Sequence, residues 1–297
     1  PEPAATNATY VFALSIVFSI LTQNHGFMLS FWILLSLFYM DLSFIALAIV
    51  QAVTEFLPIS SSGHLILLEK LFELNGPGLE ALLHLPTALV ILFYYRKELI
   101  ALLQKPKQWP IVLIAMIPAG IVGLLLGDVI DLVFYSPLII GINQVIWGIV
   151  FLWIAMQPKI FERKDTHDTS KITISTAIKI GFAQLFALIP GTSRSGIATL
   201  AGISEGLSPR DSAQFSFIIG FPLILAASLV GFYKFFKATS LAATGISLGG
   251  FALGMLLCFG IGLLAVWLLN SKYIKHIYKY SGLYRIIIGI FILLWLL

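Results

Sequence analysis

Charge is what this sequence has least of. Only 11% of its 297 residues are Asp, Glu, Lys or Arg, whereas soluble domains carry about 25%. With 59% hydrophobic residues and a mean hydropathy of +0.98, that scarcity excludes a water-soluble globule and marks an integral membrane protein. Cysteine occurs once, at Cys258 inside an apolar run, so an intramolecular disulfide is excluded. The net charge of +4 comes from lysines and arginines in short loops, which suits membrane orientation and gives no sign of nucleic-acid binding. Period-two alternation is also missing, which argues against barrel strands. What is present instead are continuous apolar runs, Ile111–Gly127, Leu138–Met156, Phe215–Phe232 and Leu248–Leu269. Each is near the ~20 residues a membrane-crossing helix needs.

The amino end has no basic leader. PEPAATNATY is polar, VFALSIVFSIL is apolar but short, and a signal peptide is a poor reading. Asn7 opens an Asn-Ala-Thr glycosylation match, a short pattern that is frequent by chance. His25, His167 and His276 lie in or beside polar stretches and are expected to be solvated.

Two stretches repeat. QAVTEFLPISSSG (51–63) set without gaps on QLFALIPGTSRSG (184–196) pairs Gln51 with Gln184, Ser60 with Ser193, Ser62 with Ser195 and Gly63 with Gly196. Each copy runs from an apolar helix through a proline break to a serine cluster and a glycine. Basic clusters at Arg96, Lys97, Lys105 and Lys107, and at Lys159, Arg163, Lys164 and Lys171, mark two inner loops. The stretch with Asp128 and Asp131 then becomes an outer loop, and the two copies enter from opposite faces. That is an inverted repeat with a midplane site. Lys234 and Lys237 fall on the outer face in this arrangement and count against it. The fold class is therefore an all-α polytopic membrane protein, an inverted-topology repeat with two re-entrant helical hairpins.

The chemistry sits in the two copies. Gln51 and Glu55 share a helix face at i, i+4, and Pro58 ends that helix. Ser60, Ser61 and Ser62 are placed to cap a new one, and Gly63 permits close backbone approach. Ser61 and His64 share a face of that helix. In the second copy Pro190 and Gly191 break the helix, Thr192 or Ser193 caps the next, and Arg194 opens its first turn ahead of Ser195 and Gly196. Helix amino termini attract anions, so two of them with an arginine make a phosphate cradle. A charge at mid-bilayer costs about 2.5–3.5 kcal/mol on insertion scales, so Glu55 and Arg194 read as functional rather than as a structural ion pair alone. His84 lines the site or packs, with equal weight. Gln184 either bridges helices or lines the site, and Asn143 and Gln144 fit interhelical hydrogen bonding. Glu205, Arg210 and Asp211 read as a turn and helix start, and Lys272, Lys275 and Lys279 as an anchor at the inner face.

At these residues the sequence closely resembles the undecaprenyl-diphosphate phosphatase family, the bacitracin-resistance membrane proteins. That family's Glu/Gln-x-x-x-Glu motif reads here as Gln51 to Glu55 running into FLPISSSGH, and its Pro-Gly-x-Ser-Arg-Ser-Gly motif reads as Pro190 to Gly196. The likeness covers about residues 40–297, one membrane phosphatase domain with repeats at about 42–156 and 172–297. Residues 1–39 lie outside it. The resemblance implies hydrolysis of undecaprenyl diphosphate to the monophosphate and inorganic phosphate, recycling the lipid carrier of peptidoglycan synthesis and conferring bacitracin resistance. It also implies the bacterial inner (plasma) membrane, a site open to the outer, periplasmic side, a divalent cation (Mg²⁺ or Ca²⁺), and homodimers. Glu55, Ser61, His64 and Arg194 match the family's catalytic positions, with Gln51, Ser60, Ser62, Gly63, Gly191, Thr192, Ser193, Ser195 and Gly196 around the phosphate. Ser61 then attacks with His64 as its base, or His64 activates water, while Glu55 orients His64 or binds the cation. Gln51 replaces the glutamate of other members and weakens a two-carboxylate metal clamp, although one carboxylate with substrate phosphates suffices for Mg²⁺.

Two other readings fit the sequence less well. The lipid-phosphatase superfamily requires a Lys-x6-Arg-Pro element, which is missing, and a histidine six residues after Arg194, where Leu200 stands. A lipid-carrier flippase or transporter suits the repeat but does not require Ser61 beside His64.

Overall fold

The computed structural model describes residues 25–72, 79–166, 172–238 and 241–297. Asn7, His167 and Lys171 lie outside the described residues. Twelve α-helices are described, in the order α1 (His25–Thr54), α2 (Ser61–Phe72), α3 (Leu79–Tyr94), α4 (Arg96–Leu103), α5 (Trp109–Phe134), α6 (Pro137–Ala155), α7 (Pro158–Phe161), α8 (Ile174–Ala183), α9 (Arg194–Ser204), α10 (Pro209–Ala238), α11 (Leu248–Leu269) and α12 (Ile274–Trp295). Five stretches are long and apolar enough to cross a bilayer: Pro106–Gly127, Pro137–Ala155, Pro209–Lys237, Leu248–Leu269 and Ile274–Trp295. Three shorter apolar stretches, Phe38–Thr54, Ala81–Tyr94 and Ile174–Leu188, accompany them. Large apolar side chains such as Leu124, Leu132 and Leu256 stand well exposed on the outside of the bundle, as expected where lipid is the solvent. The chain is an all-α, multi-pass membrane protein.

One boundary departs from expectation. The stretch around Asp128 and Asp131 is not a loop: α5 continues through it to Phe134. A backbone in an apolar medium must satisfy its own hydrogen bonds, and continuing the helix does so. The Pro209 start with Asp211 in the first turn agrees with the sequence reading.

Packing links the two halves throughout. Helix α1 lies on α11, α8 on α5, α3 on α10 and α6 on α12, so each half rests on elements of the other. The α6–α12 seam is made by glycines. A Cβ on Gly282 would stand 2.8 Å from the Gly148 carbonyl oxygen, and one on Gly289 would stand 2.8 Å from that of Gly141. Small residues at a seam let helix backbones approach closely, the main source of helix association in lipid.

The two ends of the bundle are distinct. At one end the Ser247 hydroxyl and backbone N–H both donate to Asp41, and Phe44, Leu47, Leu65, Leu82 and Ile246 pack with Phe72. At the other, Ile172, Val112 and Ala177 pack with Leu102 and Leu207, and Lys179 pairs with Glu205 at 2.8 Å. Helices α1 and α2 form one hairpin with its break at residues 55–60. Helices α8 and α9 form another with its break at 189–193, preceded by a 3-10 turn, Gln184–Leu188.

Candidate active site

The two breaks are built alike. In the first, the Glu55 N–H still donates to the Gln51 carbonyl at 2.9 Å and that of Leu57 to Val53 at 3.1 Å. Pro58 has no N–H to continue the ladder. Ser60 then takes a left-handed backbone, φ 73°, and its Oγ accepts from the Gly63 N–H at 3.5 Å as α2 begins. In the second, Gly191 is left-handed at φ 89° and Ser193 at φ 78°, and Ser193 Oγ accepts from the Gly196 N–H at 3.2 Å. The Ser60–Ser62 hydroxyls are 3.4 Å apart and the Ser193–Ser195 hydroxyls 3.5 Å. Every pair aligned in the sequence after the breaks therefore shares one local geometry. A left-handed non-glycine residue costs roughly 1–2 kcal/mol, a strain that proteins hold mainly at functional sites.

The breaks meet. A Cβ on Gly63 would stand 3.3 Å from Gly191 Cα, and Ser195 Oγ donates to the Glu55 carbonyl at 3.2 Å. Side chains of α6 and α12 satisfy the freed carbonyls: Gln144 donates to Ile59 at 3.0 Å, Asn143 to Pro190 at 2.9 Å and Arg285 to Pro58 at 3.0 Å. Neighbouring helices must supply such partners because lipid cannot.

Glu55 is the hub of the polar cluster. Its Oε2 accepts from Ser61 Oγ at 2.7 Å and from Gln51 Nε2 at 3.2 Å, with His84 Nδ1 at 3.5 Å. Its Oε1 pairs with Arg194 at 3.5 Å. Arg194 is held by a second contact, to the Ser216 carbonyl at 3.3 Å. Its guanidinium fills the space over Gly220, where a Cβ would come within 1.8 Å of Nη1. Here the buried Gln51 Oε1 lacks a hydrogen-bond partner, and Arg194 Nη2 makes no hydrogen bond beyond its 3.5 Å ion pair with Glu55 Oε1. An orphaned amide oxygen and a guanidinium held only by a long ion pair, both at one carboxylate, have the acceptor and donor character that a phosphate with its counter-cation would use.

His84, in the apolar run, joins this cluster; its Nδ1 lies 2.8 Å from Gln51 Nε2. His64 does not. Its Nδ1 lies 2.7 Å from the Ser60 carbonyl and its Nε2 lies 2.7 Å from the Tyr284 hydroxyl. A carbonyl only accepts, so Nδ1 carries the proton and Nε2 accepts from Tyr284. The ring stacks on Tyr284 and faces a separate cavity of about 530 Å³ lined by Val53, Thr54, Leu57, His276 and Tyr280. The expected Ser61–His64 pair is thus not formed, because Ser61 turns to Glu55. His276 lines that cavity. Gln184 bridges to α5 through the Ala115 carbonyl at 2.7 Å.

Comparison with known proteins fits this arrangement. Residues 44–291, which include both breaks, match the family described as bacitracin resistance protein BacA. The chain belongs to that family. Among its relatives, an undecaprenyl-diphosphatase of Acinetobacter baumannii (strain ATCC 17978) is 34% identical over 259 residues, 84% of this chain and 93% of the relative. An undecaprenyl-diphosphatase of Janthinobacterium sp. (strain Marseille) is 35% identical over 266 residues, again 84% and 93%. Undecaprenyl-diphosphatase 3 of Acinetobacter baylyi is 34% identical over 258 residues, 83% and 94%.

Three residues of this BacA-family chain escaped the sequence reading. Arg285 and Tyr284 stand in SGLYRIIIGIFILLW, and Arg285 is the one charge in that run, a signal that intramembrane charge alone should have raised. Gly220 carried no signal, since its role is to leave room. For a divalent cation, no group of three or more His, Cys, Asp or Glu side chains occurs among the described residues. Glu55 and the free Gln51 carbonyl nevertheless supply two protein oxygens, which fits a hard cation whose remaining ligands are substrate phosphate and water.

Proposed function

We propose that this BacA-family protein hydrolyses undecaprenyl diphosphate to undecaprenyl phosphate and inorganic phosphate, returning the lipid carrier to peptidoglycan synthesis and conferring bacitracin resistance. The observation that carries this reading is the Ser61–Glu55–Arg194 line, hydroxyl to carboxylate to guanidinium, set between the amino termini of α2 and α9. The names of all three relatives and both motifs support it.

The β-phosphate lies between the two helix starts, where Arg194, the Ser61–Gly63 and Ser193–Gly196 segments and Thr192 stabilise its charge. Fixed dipoles and cations are the main source of phosphoryl-transfer catalysis. Ser61 Oγ attacks the β-phosphorus while its proton passes to Glu55, the group it already donates to. The anhydride P–O bond breaks, and the departing undecaprenyl phosphate keeps the bridging oxygen. Glu55 gives its proton to the departing undecaprenyl phosphate, then takes one from the water that attacks the phosphoserine phosphorus and returns it to Ser61 Oγ as the P–Oγ bond breaks and inorganic phosphate leaves. His64 holds the Ser60 turn that aims Ser61. A bound Mg²⁺ or Ca²⁺, held by Glu55 and Gln51, would neutralise diphosphate charge. The prenyl chain stays in lipid, which explains why reactive side chains sit in so apolar a chain.

The same proposal covers topology. The α1–α2 hairpin enters the plasma membrane from the outer face and the α8–α9 hairpin from the inner one, an inverted repeat within a single domain over 40–297. The site opens outward, and the chain forms homodimers. Packing of each hairpin on the opposite half supports the repeat, and basic residues near the Lys179–Glu205 end support the orientation.

Purified protein in detergent should release inorganic phosphate from undecaprenyl diphosphate, and Arg194→Ala should abolish release while thermal unfolding stays that of wild type. Equal release by wild type and Arg194→Ala would remove this site from the reaction.

A further inference from the structure

We propose that Arg285 is a positioning residue for this reaction, tying the two breaks to each other and thereby setting the separation of Ser61 from Arg194; the inference rests on the phosphatase reading of that site. Among the described residues Arg285 is the largest fully buried side chain, at 0% exposure. Gly282 and Gly289 let α12 close on α6 and so place the residue between them at the junction of the hairpins. Nη1 donates to the Pro58 carbonyl of the first break at 3.0 Å. Nη2 donates to the Gly191 and Thr192 carbonyls of the second at 2.5 and 3.3 Å. Its guanidinium also lies 5.7 Å from the Phe151 ring centre. Among the described residues no carboxylate pairs with it.

A buried cation without a counter-ion is costly, and a single free carbonyl does not demand one. Ile59 and Pro190 are each satisfied by a neutral amide, from Gln144 and Asn143. What an amide cannot do is reach both breaks. The guanidinium is a rigid planar fork with donors on both sides, and here one tine takes each hairpin. Pro58 precedes Ser61 by three residues and Gly191 precedes Arg194 by three, so the fork grips both chains at the same distance from the reacting groups. Lysine, a point donor on a flexible stem, would hold one break and release the other.

The test compares wild type, Arg285→Lys and Arg285→Gln in detergent, with kcat, KM and thermal unfolding measured for each. The expected result is a kcat lower by about 100-fold, as misplacement by an ångström costs, with KM within about threefold and unfolding near wild type. Combining Arg285→Lys with Arg194→Lys should lose much less than the product of the separate losses, because both disturb one geometry. If the lysine variant does not fold, the glutamine variant, which still holds one break, carries the same comparison. Wild-type kcat in a folded Arg285 variant, or losses that multiply in the double variant, would overturn the assignment and leave the phosphatase reading intact. No phosphate release by wild type would overturn both.

Discussion

Ser61 donates its hydroxyl proton to the Glu55 carboxylate across 2.7 Å, and the two residues are joined by a break rather than by a helical turn. In the proposed mechanism that bond makes Glu55 the base. Glu55→Gln should lower kcat by on the order of 10²–10⁴ with little change in KM, the range for loss of a general base, and Ser61→Ala should abolish turnover. A rapid quench followed by mass spectrometry should find phosphate on Ser61. An active Ser61→Ala variant would show that water attacks directly.

Gly220 is expected to matter only to Arg194. A Cβ there would fall 1.8 Å from Nη1, and the flexible guanidinium can retreat more easily than the helices can part. Gly220→Ala should therefore cut phosphate release by about 100-fold while leaving the unfolding midpoint in detergent unchanged. A variant that unfolds early would place the glycine in helix packing instead.

His64 should act through the turn it holds. His64→Ala frees the Ser60 carbonyl and should lower kcat by roughly 10²-fold through misaimed Ser61. Tyr284→Phe removes only the partner of Nε2 and should keep most of the activity. Steady-state assays of both variants decide this, and equal losses would make the His64–Tyr284 pair a unit.

Gln51 tests the cation. Replacing it by glutamate adds a second charged oxygen, and cation sites tighten with ligand charge. Gln51→Glu should lower the Mg²⁺ concentration for half-maximal activity, and Gln51→Leu should raise it. Direct Mn²⁺ binding measured without substrate should shift in the same directions.

Much of this was legible. Ser60 and Ser193 were paired by sequence alone, and they share a left-handed backbone and the same cap to the glycine three residues on. Pro58 and Pro190 announced the breaks because a proline cannot continue the ladder. The Ser61–His64 pairing was misjudged for a definite reason. Spacing inside α2 puts the two on one face, yet the His64 ring folds back to the Ser60 carbonyl at the helix start. Glu55 reaches Ser61 across six residues that follow no regular period. Arg285 acts across more than ninety residues of chain on Gly191, a distance that no local pattern encodes. The helix through positions 128 and 131 was hidden by its acids, which look like loop residues until the apolar medium is considered.

The matched turns carry unmatched cargo: Ser61 stands where the second copy has Arg194, and Glu55 where it has Leu188. Two identical halves would meet an anhydride alike from either direction, with no preferred departing group. This division of labour makes the cluster asymmetric, and under the proposed mechanism the free phosphate end of the anhydride is the one that meets Ser61.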